Sequence, residues 1–529
     1  MSNEFNILTH PLRMGTQSLI EAGAGTGKTT ALENLVLRLL IDGVTLPDGG
    51  SRRLAISEIL LVTFTEAATA ELIQRVRSSI SRALDILKNG EFNDDICSKI
   101  LQNSSGKKEE IKAALHMALL SFDENAISTI HGFCQKMLGN FAFESNSRFN
   151  LELITDERPF LEELVNDYWR ENFYRIDGGL EKKILKSYGW SPGILHALLR
   201  NIQRAPLTEI APPEGFSVEA LQDACDKFTA YCRDSKEFYI LKEKAGNFIS
   251  RFTDKLVNAF NCFLAFGDIF ELVKLLKRER LENNLRVKAS WDGLNDLAPG
   301  KKKLPADFDE LLARAEEVER CIQTYFVVLK YNFIDYVRKS GMLKQKKLAE
   351  GVLSFDDLLL DMYEAVNKSG DFRKLIRRDF PVVMLDEFQD TDPLQFRIFD
   401  RIFRHDDAMM LMVGDPKQSI YQFRGADIFS YLQVSEKLAG EKSTLTTNYR
   451  SDESLLKGIN TIFDMKNPFV EKAIGFIPAV SGKKPRKLII RGDNGQPLKI
   501  MNGGDIGKGA ALKLFIKAIS AEIVKLLQR

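Results

Sequence analysis

Eight residues near the amino terminus, Ala22, Gly23, Ala24, Gly25, Thr26, Gly27, Lys28 and Thr29, have the types and spacing of a phosphate cradle. Glycines at alternate positions let backbone N–H groups close around phosphate oxygens, and a helix starting behind them adds partial positive charge at the same point. The Lys28 ammonium would reach the β- and γ-phosphates of a nucleotide such as ATP, the Thr29 hydroxyl would ligate Mg²⁺, and Thr30 follows in the cradle. Ala22 stands where the strict pattern has Gly. The alternative, a glycine-rich turn with no ligand, is weakened by context: the apolar run SLIEA precedes the loop and the amphipathic TALENLVLRLLIDG follows it.

A second group supplies acids. In VVMLDEFQD, Val382 to Asp390, four apolar residues push Asp386 and Glu387 to the end of a strand. One carboxylate there can hold Mg²⁺ through water while its neighbour orients or deprotonates an attacking water. Adjacent acids need different tasks, because a metal stabilises one as an anion and the other must accept a proton. Asp386 is expected on the metal and Glu387 on the water. An acidic strand end facing solvent is the alternative.

Both groups need a scaffold whose strands end on one edge. Short β-rich apolar runs occur at 18–22, 59–65, 126–130, 382–387 and 409–415. Runs this short, separated by helical patterns, read as buried parallel strands of an α/β sheet with its ligand at their carboxyl ends. Leu32, Leu35, Val36, Leu39 and Leu40 recur at helical spacing behind the glycine loop, with Gly43 as a stop. Residues 151–352 are charged and helix-patterned, and read as an all-α insertion that divides the first domain into 1–150 and 353–435. Residues 436–529 read as the start of a second core. Ser354 and Asp357 fit a capping box, a plainer role for Asp357 than catalysis.

Composition bounds the class. The 529 residues are 44% hydrophobic and 28% charged, enough to bury large cores, which excludes a mainly disordered chain. Lys plus Arg (74) balance Asp plus Glu (73), so a polyanion has to be met by local patches. Lys274, Lys277, Arg278 and Arg280, then Lys301, Lys302 and Lys303, then Arg338, Lys339, Lys344, Lys346 and Lys347 could meet duplex DNA or simply be solvated helix faces. The six cysteines lack CxxC spacing and read as buried reduced thiols rather than a metal site. No apolar run approaches about 18 residues and the amino terminus lacks an export pattern, so the expected location is cytoplasmic, with no membrane partner.

A nucleotide site alone leaves GTPases, kinases, transport ATPases and motors open. Guanine selection wants Asn-Lys-x-Asp, and the nearest string, Asn367, Lys368, Ser369, Gly370, has Gly where Asp must read the base. Four segments narrow the choice: TFTEAATAELIQRVR (63–77), STIHGFCQKML (128–138), GDPKQSIYQFRGAD (414–427) and LTTNYRS (445–451). In order and placement they resemble the motifs of superfamily-one DNA helicases related to UvrD. IEAGAGTGKT, TFTEAATAEL and TIHGFCQKML look most like RecB-type helicase subunits of exodeoxyribonuclease V, with AddA-type subunits as near neighbours.

The resemblance implies a RecA-like P-loop core using ATP and Mg²⁺, with the helical insertion and a partial second RecA-like core. It implies that Gln418 senses the γ-phosphate, that Arg450 is an arginine finger and that Tyr449 stacks on adenine. Along a single-strand track it implies Thr63, Phe64, Thr65, Thr129, His131, Phe423 and Arg424, where base stacking on aromatic faces is worth about 1–3 kcal/mol per base. Phe423 sits where relatives often carry Trp, and His131 could equally be a core or capping histidine. The implied partners are single-stranded DNA, duplex DNA ends and RecC-like and RecD-like subunits, with 3′ to 5′ translocation in double-strand-break repair and recombination.

After Arg450 no segment resembles the later helicase motifs or a metal-binding nuclease module. The expectation is an amino-terminal portion of a longer protein that binds nucleotide, has no nuclease activity and hydrolyses ATP slowly for want of an arginine worth roughly 10³–10⁵ in rate. A non-catalytic DNA-binding and subunit-docking module is a rival reading, and a recombinational ATPase without unwinding is a third.

Overall fold

The computed structural model describes residues 3–93, 95–145, 151–176, 179–204, 208–246, 251–266, 268–276, 309–420, 428–469, 471–482, 502, 504 and 507–527. The chain folds as two compact units, Met1–Asn150 with Phe355–Arg529, and Leu151–Ser354.

Seven strands form the sheet of the first unit: β1 (Asn3–Glu4), β2 (Gln17–Ala22), β3 (Ile59–Thr63), β4 (Ala126–Thr129), β5 (Val382–Leu385), β6 (Met409–Gly414) and β7 (Lys442–Leu445). Their spatial order is β1-β7-β2-β6-β5-β3-β4, and every ladder is parallel, so all seven end on one edge. The five expected apolar runs supply β2 to β6. Val382–Leu385 and Met409–Val413 are each 2% exposed or less. Strands covered on both faces need no polar alternation, and each such side chain stabilises by about 1.5–3 kcal/mol.

β7 falls on the other side of the boundary expected at 435. Lys442 lies opposite Leu19 and Leu445 opposite Ala22, so this strand joins the first sheet rather than opening another. A four-residue strand carries no signal for which sheet it joins; the available edge of β2 decides. Beyond it, Thr447–Asn448 pairs in parallel with Val480–Ser481 as a separate two-stranded ladder.

The helix α1 (Lys28–Ile41) buries Leu32, Leu35, Val36, Leu39 and Leu40, as their spacing demands. The helix α2 (Glu66–Asn89) starts at Thr65, whose side-chain oxygen accepts from the Ala68 N–H at 3.2 Å. The helix α3 (Ile130–Asn140) starts at Thr129 in the same way, through the Gly132 N–H at 3.2 Å. A strand end followed by a Thr cap therefore opens both helices on this edge.

The second unit is helical with its own core, including Leu164, Phe228, Phe260, Leu311, Ile322 and Phe333, all fully buried. Its longest helix, Asp309–Ser340, has 32 residues. Where the chain begins and ends this unit, Glu152–Ile154 pairs in parallel with Val352–Ser354, so the two ends lie one strand spacing apart, about 4.8 Å. The basic residues described here are largely engaged within the unit. Lys274 pairs with Glu271 at 2.6 Å, Lys339 with Asp335 at 2.9 Å and Lys346 with Asp167 at 2.8 Å and with Glu163. Lys347 is 1% exposed, its Nζ donating at 3.1 Å to both Glu157 and the Ser354 hydroxyl, so it is neither a solvated cation nor a surface for DNA. Lys277, Arg278, Arg280, Lys301, Lys302 and Lys303 lie outside the described residues.

Cys97, Cys134, Cys225 and Cys232 are buried and Cys321 is half-buried; Cys262 is exposed, a departure from the expected set. Among the described residues no helix is long and apolar enough to cross a membrane.

Candidate nucleotide and nucleic-acid site

β2 runs into the glycine loop, β6 into Asp415, β5 into Asp386 and β7 towards Asn448, so four loops meet on the carboxyl edge of the sheet. β6 lies between β2 and β5, which separates the glycine loop from the acid pair by two strand spacings, about 10 Å. Lys28 reaches across. Its Nζ donates to Glu387 Oε2 at 2.6 Å, joining residues 359 positions apart in sequence.

Glu387 is the only non-glycine residue with positive φ (+49°) among the described residues. Such a backbone costs roughly 1 kcal/mol or more and persists where its surroundings hold it. Here it turns the chain sharply at the end of β5 and returns the carboxylate towards Lys28. Asp386 N donates to Val62 O at 2.9 Å, which continues the β5–β3 pairing up to the acid, and Asp386 Oδ1 accepts from Glu387 N at 2.9 Å.

Loss of hydration pushes the Asp386 carboxyl up to about 6; the neighbouring Glu387 charge adds to the rise, while the Glu387 N–H and Lys28 oppose it. Asp390 is likewise raised to about 6 by burial and then by Glu387, and its Oδ1 has no hydrogen-bond partner among the described residues. Three carboxyls within five residues thus share one nearby ammonium and are short of positive charge. A divalent cation suits that deficit. Mg²⁺ keeps several waters and takes one or two protein ligands beside phosphate oxygens, so a site of this kind needs few side chains, and the Asp386 carboxylate and the Thr29 hydroxyl are the candidates. Thr29 is the second residue of α1 and half-buried.

The glycine loop is braced from inside. Thr26, 4% exposed, donates its hydroxyl to Gly23 O at 2.8 Å, and Gly25 and Gly27 take φ of +79° and +93°. It is also braced from outside, by a residue the sequence reading passed over. Asn448, 5% exposed, donates Nδ2 to Ala24 O at 2.7 Å and accepts at Oδ1 from Arg450 N (2.9 Å) and Ser451 N (2.8 Å). Tyr449 N donates to Gly25 O at 2.8 Å. A Cβ on Gly25 would lie 2.6 Å from Arg450 Cβ, so glycine is needed for this approach. Tyr449, 56% exposed, and Arg450 therefore flank the loop. The available signal was an Asn before Tyr-Arg at a strand end, an amide able to donate and accept at once.

Gln418 Nε2 donates to Asp415 Oδ2 at 2.7 Å, and Asp415 Oδ1 also accepts from Lys417 N at 3.1 Å and pairs with Lys417 Nζ at 2.7 Å. Asp415 and Gln389, both buried, were not singled out in the sequence.

The expected nucleic-acid contacts divide. Thr65 is exposed and Phe64 half-buried at the end of β3. Thr63 is 1% exposed; its hydroxyl meets Thr69 Oγ1 at 2.6 Å and Thr65 O at 3.1 Å. Thr129 donates to Glu66 Oε1 at 3.0 Å besides capping α3. Both hydroxyls thus have partners within the protein. His131 is half-buried, its pKa lowered by burial, with its ring edge-on to Phe355 at 5.2 Å. Phe423 and Arg424 lie outside the described residues.

Residues 3–439 match the family model of the UvrD/REP helicase N-terminal domain. The chain belongs to the UvrD/REP helicase family. Similar proteins include the RecBCD enzyme subunit RecB of Haemophilus influenzae, 32% identical over 524 residues, or 89% of this chain and 42% of that protein. The RecBCD enzyme subunit RecB of Escherichia coli (strain K12) is 32% identical over 98% of this chain and 44% of its own length. That of Buchnera aphidicola subsp. Schizaphis graminum is 33% identical over 92% and 40%. The chain spans less than half the length of these relatives. Its parallel sheet and helical insertion are those of a UvrD/REP helicase of RecA-like fold.

Proposed function

We propose that this chain is the ATP-binding motor portion of a RecBCD-type DNA helicase subunit, working on single-stranded DNA and duplex ends with RecC-like and RecD-like subunits in the cytoplasm. The observation that carries this reading is the 2.6 Å meeting of Lys28 with Glu387, with Gln418 held by Asp415 in the turn after the strand between them.

In this reading the backbone from Ala22 to Gly27 and the first turn of α1, Lys28 to Thr30, hold the phosphates, and Tyr449 stacks on adenine. Thr29 and Asp386 would hold Mg²⁺, which when bound neutralises phosphate charge. Glu387 orients a water and takes its proton. Gln418 responds to the γ-phosphate, and Arg450 stabilises the charge that develops on transfer. Phe64, Thr65 and His131 face a single-strand path, Thr63 and Thr129 hold that edge through their interior bonds, and Phe423 and Arg424 are further contacts to the strand by resemblance. Translocation runs 3′ to 5′.

Calorimetric titration of the chain with ATP and Mg²⁺ tests the reading. One nucleotide should bind, and Lys28→Ala should weaken it about 10- to 150-fold, the equivalent of a charge-assisted hydrogen bond of about 1.5–3 kcal/mol, with circular dichroism unchanged. An absence of heat from ATP would refute the motor.

A further inference from the structure

Gln389 is 1% exposed and lies where the acid turn after β5 meets the sensing turn after β6. Its Nε2 donates to Glu387 Oε2 at 2.7 Å and to Asp390 Oδ2 at 3.2 Å. Its Oε1 accepts from Asp415 N at 2.8 Å. The chemistry of the partners settles which end of the amide is which: ionised carboxylates only accept and a backbone N–H only donates. Asp415 then holds Gln418 at 2.7 Å. Ser419 Oγ adds a second link between the turns, donating to Gln389 O at 3.4 Å.

Gly414 makes the room. A Cβ there would lie 2.7 Å from Gln389 Oε1 and 3.2 Å from Gln389 N. One buried, neutral amide therefore joins Glu387 to the residue that holds Gln418. A Glu at 389 would set a third carboxylate against Glu387 and Asp390, Asn falls one methylene short, and Met fills the volume without a donor or a strong acceptor.

We propose that Gln389 is a positioning residue that couples γ-phosphate sensing by Gln418 to the orientation of Glu387, a proposal that rests on the nucleotide reading above. Glu387 Oε2 is shared between Lys28 and Gln389. When phosphate oxygens compete for the Lys28 ammonium, the Gln389 amide keeps that oxygen in place. A shift of Gln418 towards a γ-phosphate moves the Asp415 backbone, and through Oε1 it moves the amide whose other end holds Glu387.

The test uses the 529-residue chain with Gln389→Met, Gly414→Ala and the double variant. Affinities for ADP and for ATPγS, both with Mg²⁺, are measured by calorimetry, and hydrolysis by single turnover with single-stranded DNA. Gln389→Met should leave ADP affinity within twofold, lower the preference for ATPγS over ADP at least fivefold and slow the single-turnover rate at least tenfold without changing its half-saturating ATP concentration. Gly414→Ala should do the same by displacing the amide, and the double variant should lose no more than twofold beyond either single change. Should Gln389→Met not fold, Gly414→Ala alone carries the test, since it displaces the amide while leaving Gln389 and its charge state unchanged. A rate within twofold of the parent, equal losses of ADP and ATPγS affinity, or multiplicative losses in the double variant would each overturn the coupling. Failure of the underlying nucleotide reading shows separately, as a parent chain that binds no ATP.

Discussion

Asn448→Ala removes three hydrogen bonds: one that ties the glycine loop through Ala24 O, and two by which the backbone N–H groups of Arg450 and Ser451 fix the Asn448 side chain. Each contributes a net of about 0.5–1.5 kcal/mol. The flanking backbone is not deeply buried, so water can replace part of what is lost, and the expected loss of stability is about 1.5–3 kcal/mol. The larger consequence is local. The Tyr449 N to Gly25 O bond would still tether the loop to this segment, and a nucleotide would then have to order backbone that Asn448 had held in place. Ordering one residue costs about 1–2 kcal/mol, which corresponds to roughly tenfold weaker binding. Calorimetry with ATP and ADP, alongside urea unfolding, measures both effects. Asn448→Asp is the informative control, because it retains the acceptor for the two N–H groups while setting a carboxylate against the Ala24 carbonyl. If Asn448→Ala binds within twofold of the parent and unfolds at the same urea concentration, the loop is not held from this side and the reasoning fails.

Gly25→Ala places a Cβ 2.6 Å from Arg450 Cβ at a φ of +79°, and should cost about 1–3 kcal/mol in urea unfolding with a clear loss of nucleotide affinity; parent-like values for both would reject the close approach. Burial, with a smaller contribution from the Arg38 charge, lowers His10 to about 4. The unfolded histidine takes its proton near 6.5, so the unfolded state binds more protons between about 6.5 and 4, and stability falls as pH drops through that window. Discounted for partial exposure, the loss approaches about 2 kcal/mol near pH 4, and unfolding curves at several pH values should flatten in His10→Gln; the same slope in both proteins counts against it. In the helical unit, Lys347→Met leaves Glu157 without this cation, with Gln203 Nε2 still donating to it at 2.7 Å, and should destabilise by about 2–4 kcal/mol, whereas Lys347→Met with Glu157→Leu should recover part of that in the same urea assay. A double variant no more stable than the single one would mean that the ion pair is not what holds this corner.

Local pattern was a good guide wherever one element carried its own signal. The runs at 18–22, 59–65, 126–130, 382–387 and 409–415 are strands because they are short, apolar and covered on both faces, and the Leu32 to Leu40 spacing is a buried helix face. Side chains whose role depends on a partner far away in sequence were read less well. Lys347 sits in a basic run that suits a solvated face, yet Glu157, 190 positions earlier, draws it into the interior. Asn448 looked like one residue of a short motif until Ala24 was placed opposite it.

From the sequence alone came the candidate chemistry: a glycine loop suited to phosphate, a Lys and a Thr behind it, an acid pair after an apolar strand, and a short Thr-Asn-Tyr-Arg segment near the far end. These follow from residue type and local spacing, which the chain carries wherever it folds. Tertiary structure decided the strand order, with β6 between β2 and β5, and so the gap that Lys28 crosses and that Gln389 and Asp415 line. It also decided that β7 completes the same sheet and brings Asn448 to the loop. Parallel strands of similar composition present nearly equivalent edges, so their order is set by how the whole set of helices and crossovers packs, a property no single segment contains.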